Sequence, residues 1–302
     1  MPVRFSGMPL RGVLWGLLGV LAFSFTLPFT RLAVAEIDPF FIAGGRAVVA
    51  AALAACALAI VQPRRPRGRQ WVRVAIAGLG VIAGFPIFTS LALQTVPSSH
   101  GAVVIGLLPA ATAIAAVIRG GERPSFLFWV ASTAGAIAVV VFVVLTSGGF
   151  GGLHPSDFLL LGAVASAAIG YAEGALLSRE LGSWQTICWS LLVVLPVMTA
   201  VMLLGLGDGW PQAGPEHWWS FAYVAVVSMF LAFFAWYRGL AIGPIATVSQ
   251  IQLVQPVFTI VWSGLLLGEL LGWQVWVGAA VVLACAAVAV RARVAAASRI
   301  PA

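Results

Sequence analysis

Apolar stretches long enough to cross a bilayer fill almost the whole chain, and most charged residues fall between them. A transmembrane helix needs about 20 mostly apolar residues, and helices satisfy their own backbone hydrogen bonds inside a bilayer. We predict ten such helices, with Asp157 as a plausible N-cap of the sixth. They are residues 12–35, 39–61, 71–93, 98–118, 125–145, 157–177, 184–206, 218–240, 245–267 and 273–290. The sequence therefore predicts an all-α integral membrane protein surrounded by membrane lipid.

Composition excludes several other classes of protein. Hydrophobic residues make up 62% of the chain and charged residues 8%, against about 25% charged in a soluble domain. The net charge of +7 does not indicate nucleic-acid binding, because the arginines lie between apolar spans without interleaved stacking aromatics. Cys56, Cys188 and Cys285 each stand alone in an apolar run, so we expect no metal and no cofactor.

The chain also contains an internal repeat with an offset of 147 residues. The matched pairs are Pro97 and Pro244, Pro109 and Pro256, Gly121 and Gly268, Glu122 and Glu269, and Trp129 and Trp276. So long a period indicates a duplicated unit rather than a solenoid. It predicts two five-helix repeats, residues 1–148 and 149–302, called the first and second half below.

The arginines predict the orientation of the spans. With a cytoplasmic N-terminus, fourteen of the sixteen arginines fall on the cytoplasmic side, leaving Arg31 outside and Arg46 within a span. This bias follows the positive-inside rule and places both termini in the cytoplasm. Because each half has five spans, the second half must enter the membrane from the opposite side. Inverted halves with a substrate site between them are typical of secondary transporters.

The sequence resembles the drug/metabolite transporter superfamily, specifically the EamA-type transporters of two five-helix repeats. The resemblance is carried by Leu91-Ala92-Leu93, Pro109 and Gly121-Glu122 in the first half, and by Gly239-Leu240-Ala241, Gln255-Pro256-Val257-Phe258 and Gly268-Glu269 in the second. The overall pattern is most similar to exporters of the YddG type, which implies an exporter role and aromatic amino acids as substrates. Arg46 falls where such repeats often carry an arginine, whereas the second half has Trp189 near the equivalent position.

Polar side chains follow one face of the ninth span. Ser249, Gln252, Gln255, Thr259 and Ser263 recur at steps of three and four residues. Amides facing lipid would be left unpaired, so this face is expected to line a wet substrate cavity or to bond neighbouring helices together.

Two ionisable residues lie well inside spans, Arg46 and Glu173. A charge in the membrane costs at least about 2.5–3.5 kcal/mol, so each should face the interior. Arg46 is predicted to hold a substrate carboxylate with two hydrogen bonds, or else to be structural. Glu173 is predicted to meet an amino group or carry a coupling proton, or else to reach Arg179 or solvent. His100, near the outer end of the fourth span, is a candidate for proton coupling or for simple solvation.

Aromatic and helix-breaking residues complete the predicted site. Phe85, Phe88, Tyr171 and Trp189 are candidate cavity walls, although most aromatics in such a chain face lipid. The repeat-related Pro109 and Pro256 are predicted bends or hinges, because proline removes a backbone donor within a helix. Three glycine pairs four residues apart predict close helix packing: Gly12 and Gly16, Gly80 and Gly84, and Gly264 and Gly268.

The prediction for function is a secondary-active or facilitative exporter in a bacterial inner membrane. Its expected substrates are small metabolites, in particular amino acids including aromatic ones, moved by alternating access through a cavity between the halves. Export of drugs or other metabolites is the alternative within transport. A membrane-embedded enzyme is the alternative from another class, and the absence of Walker, HExxH and GxSxG sequences disfavours it.

Overall fold

A computed structural model describes residues 10–120, 126–146, 154–207, 209–242 and 251–297. Helices and the loops that connect them make up these ranges, which contain no strand. The first half contains α1 (Leu10–Ser24), α2 (Thr26–Ala33), α3 (Pro39–Val61), α4 (Arg69–Gly78), a π-helical segment (Leu79–Gly84), α5 (Phe85–Ala92), α6 (Ser98–Ile105), α7 (Leu108–Gly120) and α8 (Phe126–Thr146). The second half contains α9 (Pro155–Glu180), α10 (Ser183–Leu204), α11 (Pro215–Ala222), a second π-helical segment (Tyr223–Leu231), α12 (Ala232–Ile242), a 3₁₀ turn (Gln252–Val254), α13 (Gln255–Leu267) and α14 (Trp273–Ala297).

Each predicted span contains helix, and six helices in the described ranges are long and apolar enough to cross a membrane. These six are Arg11–Ala33, Pro39–Val61, Arg69–Ala92, Pro155–Glu180, Ser183–Leu204 and Pro215–Gly239. Four further apolar helices are shorter: Ser98–Thr112, Trp129–Val139, Gln252–Leu267 and Trp273–Cys285. Large apolar side chains such as Ile60 and Phe126 are exposed, at 82% and 84%, as expected of a surface that faces lipid. The all-helical membrane fold is confirmed, and the count of ten crossings stays a prediction.

Local signals fix where the helices begin and end. Asp38 caps α3 by accepting hydrogen bonds from the backbone N–H groups of Phe40 (2.8 Å) and Phe41 (3.2 Å). α3 ends at Gln62, which adopts the left-handed conformation. The predicted N-cap of the sixth span is wrong by three residues. His154 is the N-cap of α9, and Asp157 is the third helical residue, whose carboxylate accepts from the His154 N–H at 3.0 Å.

Glycines bring several helices into close contact. A Cβ on Gly239 would lie 2.7 Å from the backbone nitrogen of Gly16, and one on Gly80 would lie 2.5 Å from the Ser166 carbonyl oxygen. The predicted packing role is therefore confirmed for the pairs that contain Gly16 and Gly80. The third pair differs, because Gly268 is the left-handed C-cap of α13 with φ of 64°.

Helices of the two halves pack against each other in pairs. The most extensive contacts join α3 to α10, α8 to α14 and α1 to α12, followed by α5 with α9 and α7 with α9. The described interior contains two large apolar clusters. One surrounds Ile37, Leu93 and Leu160, and the other surrounds Met198 and Trp236. The candidate site lies at the seam between these clusters.

Candidate transport cavity between the two halves

A narrow cavity lies where the two apolar clusters meet, and we call it the central cavity. It is lined from both halves, by Arg46, Phe85, Tyr171, Ser228, Phe233 and Gln255 among others. Its empty space amounts to about 460 Å³, but the space is so thin that it would admit about one water molecule. The structure is therefore a closed arrangement, and a metabolite would require the helices to move apart.

Arg46 is directed into the central cavity by the packing of its own helix. Gly44, two residues earlier on α3, lies against α10, where a Cβ would be 2.3 Å from the Met202 backbone nitrogen. Two residues correspond to about 200° of helix rotation, so Arg46 points away from α10. Its side chain is buried, with the residue 2% exposed.

The Arg46 guanidinium has unused hydrogen-bonding capacity. Nη2 donates to Ser228 Oγ at 3.3 Å, and Ser228 Oγ shares a second hydrogen bond of 2.8 Å with Thr26 Oγ1. Arg46 Nε and Nη1 are buried without a partner among the described residues. No described carboxylate forms an ion pair with Arg46, so the cavity holds an uncompensated positive charge.

Two glutamines and a tyrosine add neutral polar groups. Tyr171 lies beside the side chain of Gln252. Gln255 Oε1 is buried without a partner among the described residues. The cavity thus combines two unfilled donors on Arg46 with one unfilled acceptor on Gln255.

The polar stripe of the ninth span has two roles along its length. Gln252 and Gln255 line the cavity and its extension toward Pro109 and Pro256. Further along α13, Thr259 Oγ1 donates to the Ser24 carbonyl at 2.8 Å. Ser263 Oγ bonds to Ser98 Oγ at 2.8 Å, so these two residues connect helices. Ser249 lies outside the described residues.

Pro109 and Pro256 stand at matching interruptions of two helices. α6 ends at Ile105 and α7 begins at Leu108, while the 3₁₀ turn ends at Val254 and α13 begins at Gln255. Leu108 and Gln255 are separated by the repeat offset of 147 residues. Each proline therefore occupies the first turn of a helix that resumes after a break, where its missing N–H costs little. Both prolines line the extension of the cavity.

The aromatic candidates divide between the cavity and other places. Phe85 and Tyr171 line the cavity. Phe88 packs against Gly162 of α9, where an added Cβ would meet its ring at 3.3 Å. Trp189 packs edge-on against Trp71, with ring centroids 5.6 Å apart. Neither Phe88 nor Trp189 lines the central cavity.

Glu173 lies at the arginine-rich end of the molecule, called the inner end here. Its carboxylate accepts from Arg73 Nε at 3.0 Å, and Arg73 Nη1 also pairs with Glu180 at 2.6 Å. Gln70 donates to Glu180 at 2.9 Å. This inner cluster of Gln70, Arg73, Glu173 and Glu180 joins α4 to α9. The partner of Glu173 is Arg73, which sequence analysis did not consider.

The opposite, outer end is closed by two carboxylates. Glu269 accepts hydrogen bonds from Ser98 N (2.8 Å), Ser98 Oγ (2.7 Å) and Ser99 N (2.9 Å), and so caps α6 from the other half of the chain. His100 Nε2 lies 2.8 Å from Asp157 Oδ1. His100 is buried at this end and does not line the central cavity.

Sequence analysis missed several residues that line the central cavity, among them Phe23, Thr26, Ser228 and Phe233. Thr26 and Ser228 had a recognisable signal, because each places a hydroxyl in a mainly apolar span. Phe23 and Phe233 had none, since their side chains resemble those of many lipid-facing phenylalanines.

Comparison with known proteins identifies the family. The model of the EamA-like transporter family matches residues 10–144 and 154–291. The chain belongs to the EamA-like transporter family. This confirms the family that the resemblance indicated and supports a transporter rather than an enzyme, whereas the YddG-type subtype stays a prediction.

Two relatives and one solved structure extend the comparison. The "Uncharacterized transporter YdeK" of Bacillus subtilis is 44% identical over 276 residues, covering 91% of this chain and 96% of the relative. The "Probable terminal-alkyne amino-acid exporter" of Streptantibioticus cattleyicolor is 24% identical over 271 residues, covering 85% and 87%. A solved structure described as "Crystal structure of protein" has a TM-score of 0.65 at 19% identity, covering 92% of this chain and 97% of that one. The last similarity concerns the fold alone.

Proposed function

We propose that this EamA-family transporter exports small metabolites that carry a carboxylate, with amino acids, including aromatic ones, as the substrate class. The observation that carries the proposal is the pair of buried, unpartnered donors on Arg46 in a cavity between the halves. A guanidinium binds a carboxylate through two parallel hydrogen bonds. A substrate carboxylate would satisfy both donors and neutralise the buried charge.

The remaining lining fits the rest of an amino acid. Gln255 Oε1 is a buried acceptor without a partner, and a substrate amino group would donate to it. Phe23, Phe85 and Phe233 form apolar walls against which a flat or aliphatic side chain would pack. The relative described as a probable amino-acid exporter supports the same class.

Alternating access is the proposed mechanism, with ten helices in two inverted halves. Numbering the predicted spans from one to ten, the four most extensive inter-half contacts join two to seven, five to ten, one to eight and three to six. Exchanging each span of one half with its repeat-equivalent in the other leaves this set unchanged, as expected for a pseudo-two-fold relation. The inner cluster and the Glu269 cap would open in turn to expose the cavity to each side.

The proposal includes the membrane location and the energy source of transport. We propose a bacterial inner membrane with both termini cytoplasmic, on the strength of the arginine distribution. Transport is either driven by an ion gradient or facilitative. Export of other metabolites is the second candidate. The uncompensated positive charge of the buried Arg46 guanidinium disfavours cationic drugs.

The proposal is tested by transport assays in proteoliposomes with Arg46 variants. Phenylalanine and phenethylamine, which lacks the carboxylate, are compared with and without a pH gradient. Arg46→Ala should lower phenylalanine transport by about 100-fold, since a charge-assisted pair contributes roughly 1.5–3 kcal/mol, and Arg46→Lys should lower it less. Transport of the cationic phenethylamine should not fall in Arg46→Ala, because this change removes a positive charge that repels it.

Arg31→Ala is the matched control, because Arg31 donates to the Leu93 carbonyl outside the cavity. It should leave phenylalanine transport near the wild-type rate. If Arg46→Ala impairs both compounds equally, Arg46 is structural and the carboxylate assignment is wrong.

A further inference from the structure

A basic recess lies at the inner end, away from the central cavity. It is formed where α3 ends and α4 begins, against the junction of α9 and α10. Arg64, Arg65 and Arg67 line it together with Val61, Gln70 and Leu181. The recess is open to solvent, and its empty space amounts to about 980 Å³.

The three guanidinium groups in this recess are available to a ligand. All three arginines are exposed, and none of their side chains forms a hydrogen bond or ion pair with another described residue. Glu180 also lines the recess and pairs with Arg73 and Gln70, so its single negative charge offsets at most one of the three arginines and the recess stays positive.

The backbone of the recess is held in place. Pro63 and Pro66 restrict the loop between α3 and α4, and the backbone N–H of Arg67 donates to Gln70 Oε1 at 3.0 Å. The arginines therefore project from a fixed loop. Their planar, always charged groups are suited to phosphate oxygens.

An apolar surface leads from this recess along α3. Ala52, Ala55, Cys56, Ala59 and Ile60 are exposed and recur at steps of three and four residues, so they share one helix face. Ile60 and Val61 are 82% and 60% exposed directly beside the arginines. A free phosphate would use only the basic part, whereas a phospholipid would use both the charged recess and the apolar face.

We propose that this recess binds an anionic membrane phospholipid, with the phosphodiester held by Arg64, Arg65 and Arg67 and an acyl chain lying along the exposed face of α3. The site is separate from the transport cavity. Because Gln70 and Glu180 belong both to the recess and to the inner cluster, the bound lipid contacts the inner closure.

The test measures lipid binding by the purified, delipidated full chain in detergent. Dioleoylphosphatidylglycerol, dioleoylphosphatidylcholine and inorganic phosphate are compared by native mass spectrometry and by thermal unfolding. Wild type should prefer the anionic lipid, and Arg64→Gln/Arg65→Gln should weaken its binding by about 30-fold, as expected from losing two arginines at a charged surface. Inorganic phosphate should neither stabilise the protein nor displace the lipid.

The control removes the same charge elsewhere. Arg11→Gln/Arg238→Gln replaces two exposed arginines outside the recess and should keep the wild-type preference. Equal loss in both variants, equal binding of the two lipids by wild type, or displacement by inorganic phosphate would overturn the proposal. If the double variant fails to fold, Arg64→Gln and Arg65→Gln are measured as single variants. If both single variants bind the anionic lipid as tightly as wild type, the proposal is also overturned.

Discussion

Two residues bring unsatisfied polar atoms into the central cavity, Arg46 and Gln255. A buried polar group without a partner costs about 1–3 kcal/mol, and more when charged. Because the protein is otherwise closely packed around the cavity, these unpaired atoms lower the stability of the substrate-free protein. A bound substrate that forms hydrogen bonds with them would offset this loss. This cost is what distinguishes Gln255 from Thr259, whose hydroxyl already has a protein partner.

Replacing these two residues should separate recognition from stability. Gln255→Leu removes an unpaired acceptor, so it should reduce amino-acid transport by about tenfold, the effect of one lost hydrogen bond, without lowering the unfolding temperature. Thr259→Val leaves the Ser24 carbonyl without its donor and should lower the unfolding temperature instead. Transport rates and thermal unfolding of both variants are the measurements. Normal transport by Gln255→Leu would mean that the glutamine only bonds helices together.

Individual residues were predicted from the sequence to different degrees. Arg46 was identifiable because a charged side chain inside an apolar span is costly and therefore rare unless it has a function or a partner. The partner of Glu173 was not, because Arg73 is a hundred residues away and meets it only through the packing of α4 on α9. His100 likewise gains Asp157 through tertiary contact. Residue type thus indicated which positions are unusual, but not what each one contacts.

At the scale of helices, the close contact of α3 with α10 orients the site. It depends on Gly44, because a Cβ there would overlap the Met202 backbone. Gly44→Ala should therefore push the two helices apart, lower stability by about 1–3 kcal/mol, as overpacking does, and impair transport by moving Arg46. Gly45→Ala should be milder, since its Cβ would meet the Phe221 ring at 3.0 Å and that side chain can turn. Thermal unfolding of the purified variants checks this order, and equal melting temperatures would contradict it.

Helix positions were predictable from the sequence, whereas interruptions within helices were only partly so. Apolar length indicated α3 correctly from Pro39 to Val61. Pro109 and Pro256 indicated two breaks. The π-helical segments were not predicted, because no residue pattern distinguishes them from ordinary apolar helix. Both segments lie in the third predicted span of their half. They end at repeat-equivalent positions, Gly84 and Leu231.

At the scale of the whole molecule, residues at repeat-equivalent positions of the two halves line the central cavity, but their side chains differ in polarity. Val81 and Ser228, Ile105 and Gln252, and Leu108 and Gln255 are repeat-equivalent pairs that line the cavity or its extension. In each pair the first-half residue is apolar and the second-half residue is polar. The first half supplies the cation, Arg46, instead. The predicted duplication would account for the shape of the cavity, and divergence of the halves would let it orient the proposed substrate with two different polar groups.

The two closures should control access from opposite sides. In a chain with Cys56→Ser, Cys188→Ala and Cys285→Ala, a cavity cysteine is introduced by Leu108→Cys. Its labelling by a membrane-impermeant methanethiosulfonate is then followed from each side of oriented vesicles. Glu269→Gln weakens the cap on α6 and should increase outer labelling, whereas Arg73→Gln breaks the inner cluster and should increase inner labelling.

The expected change follows from the strength of these bonds. Weakening one closure by about 1.4 kcal/mol raises the population open on that side about tenfold, and the labelling rate should rise in proportion. Glu216→Gln is the control, because its side chain is exposed (61%) near the outer end and caps no helix in the described residues. It should change neither rate. If Glu269→Gln and Arg73→Gln both raise labelling from the same side, the closures do not lie at opposite ends of one path, and alternating access through this cavity is wrong.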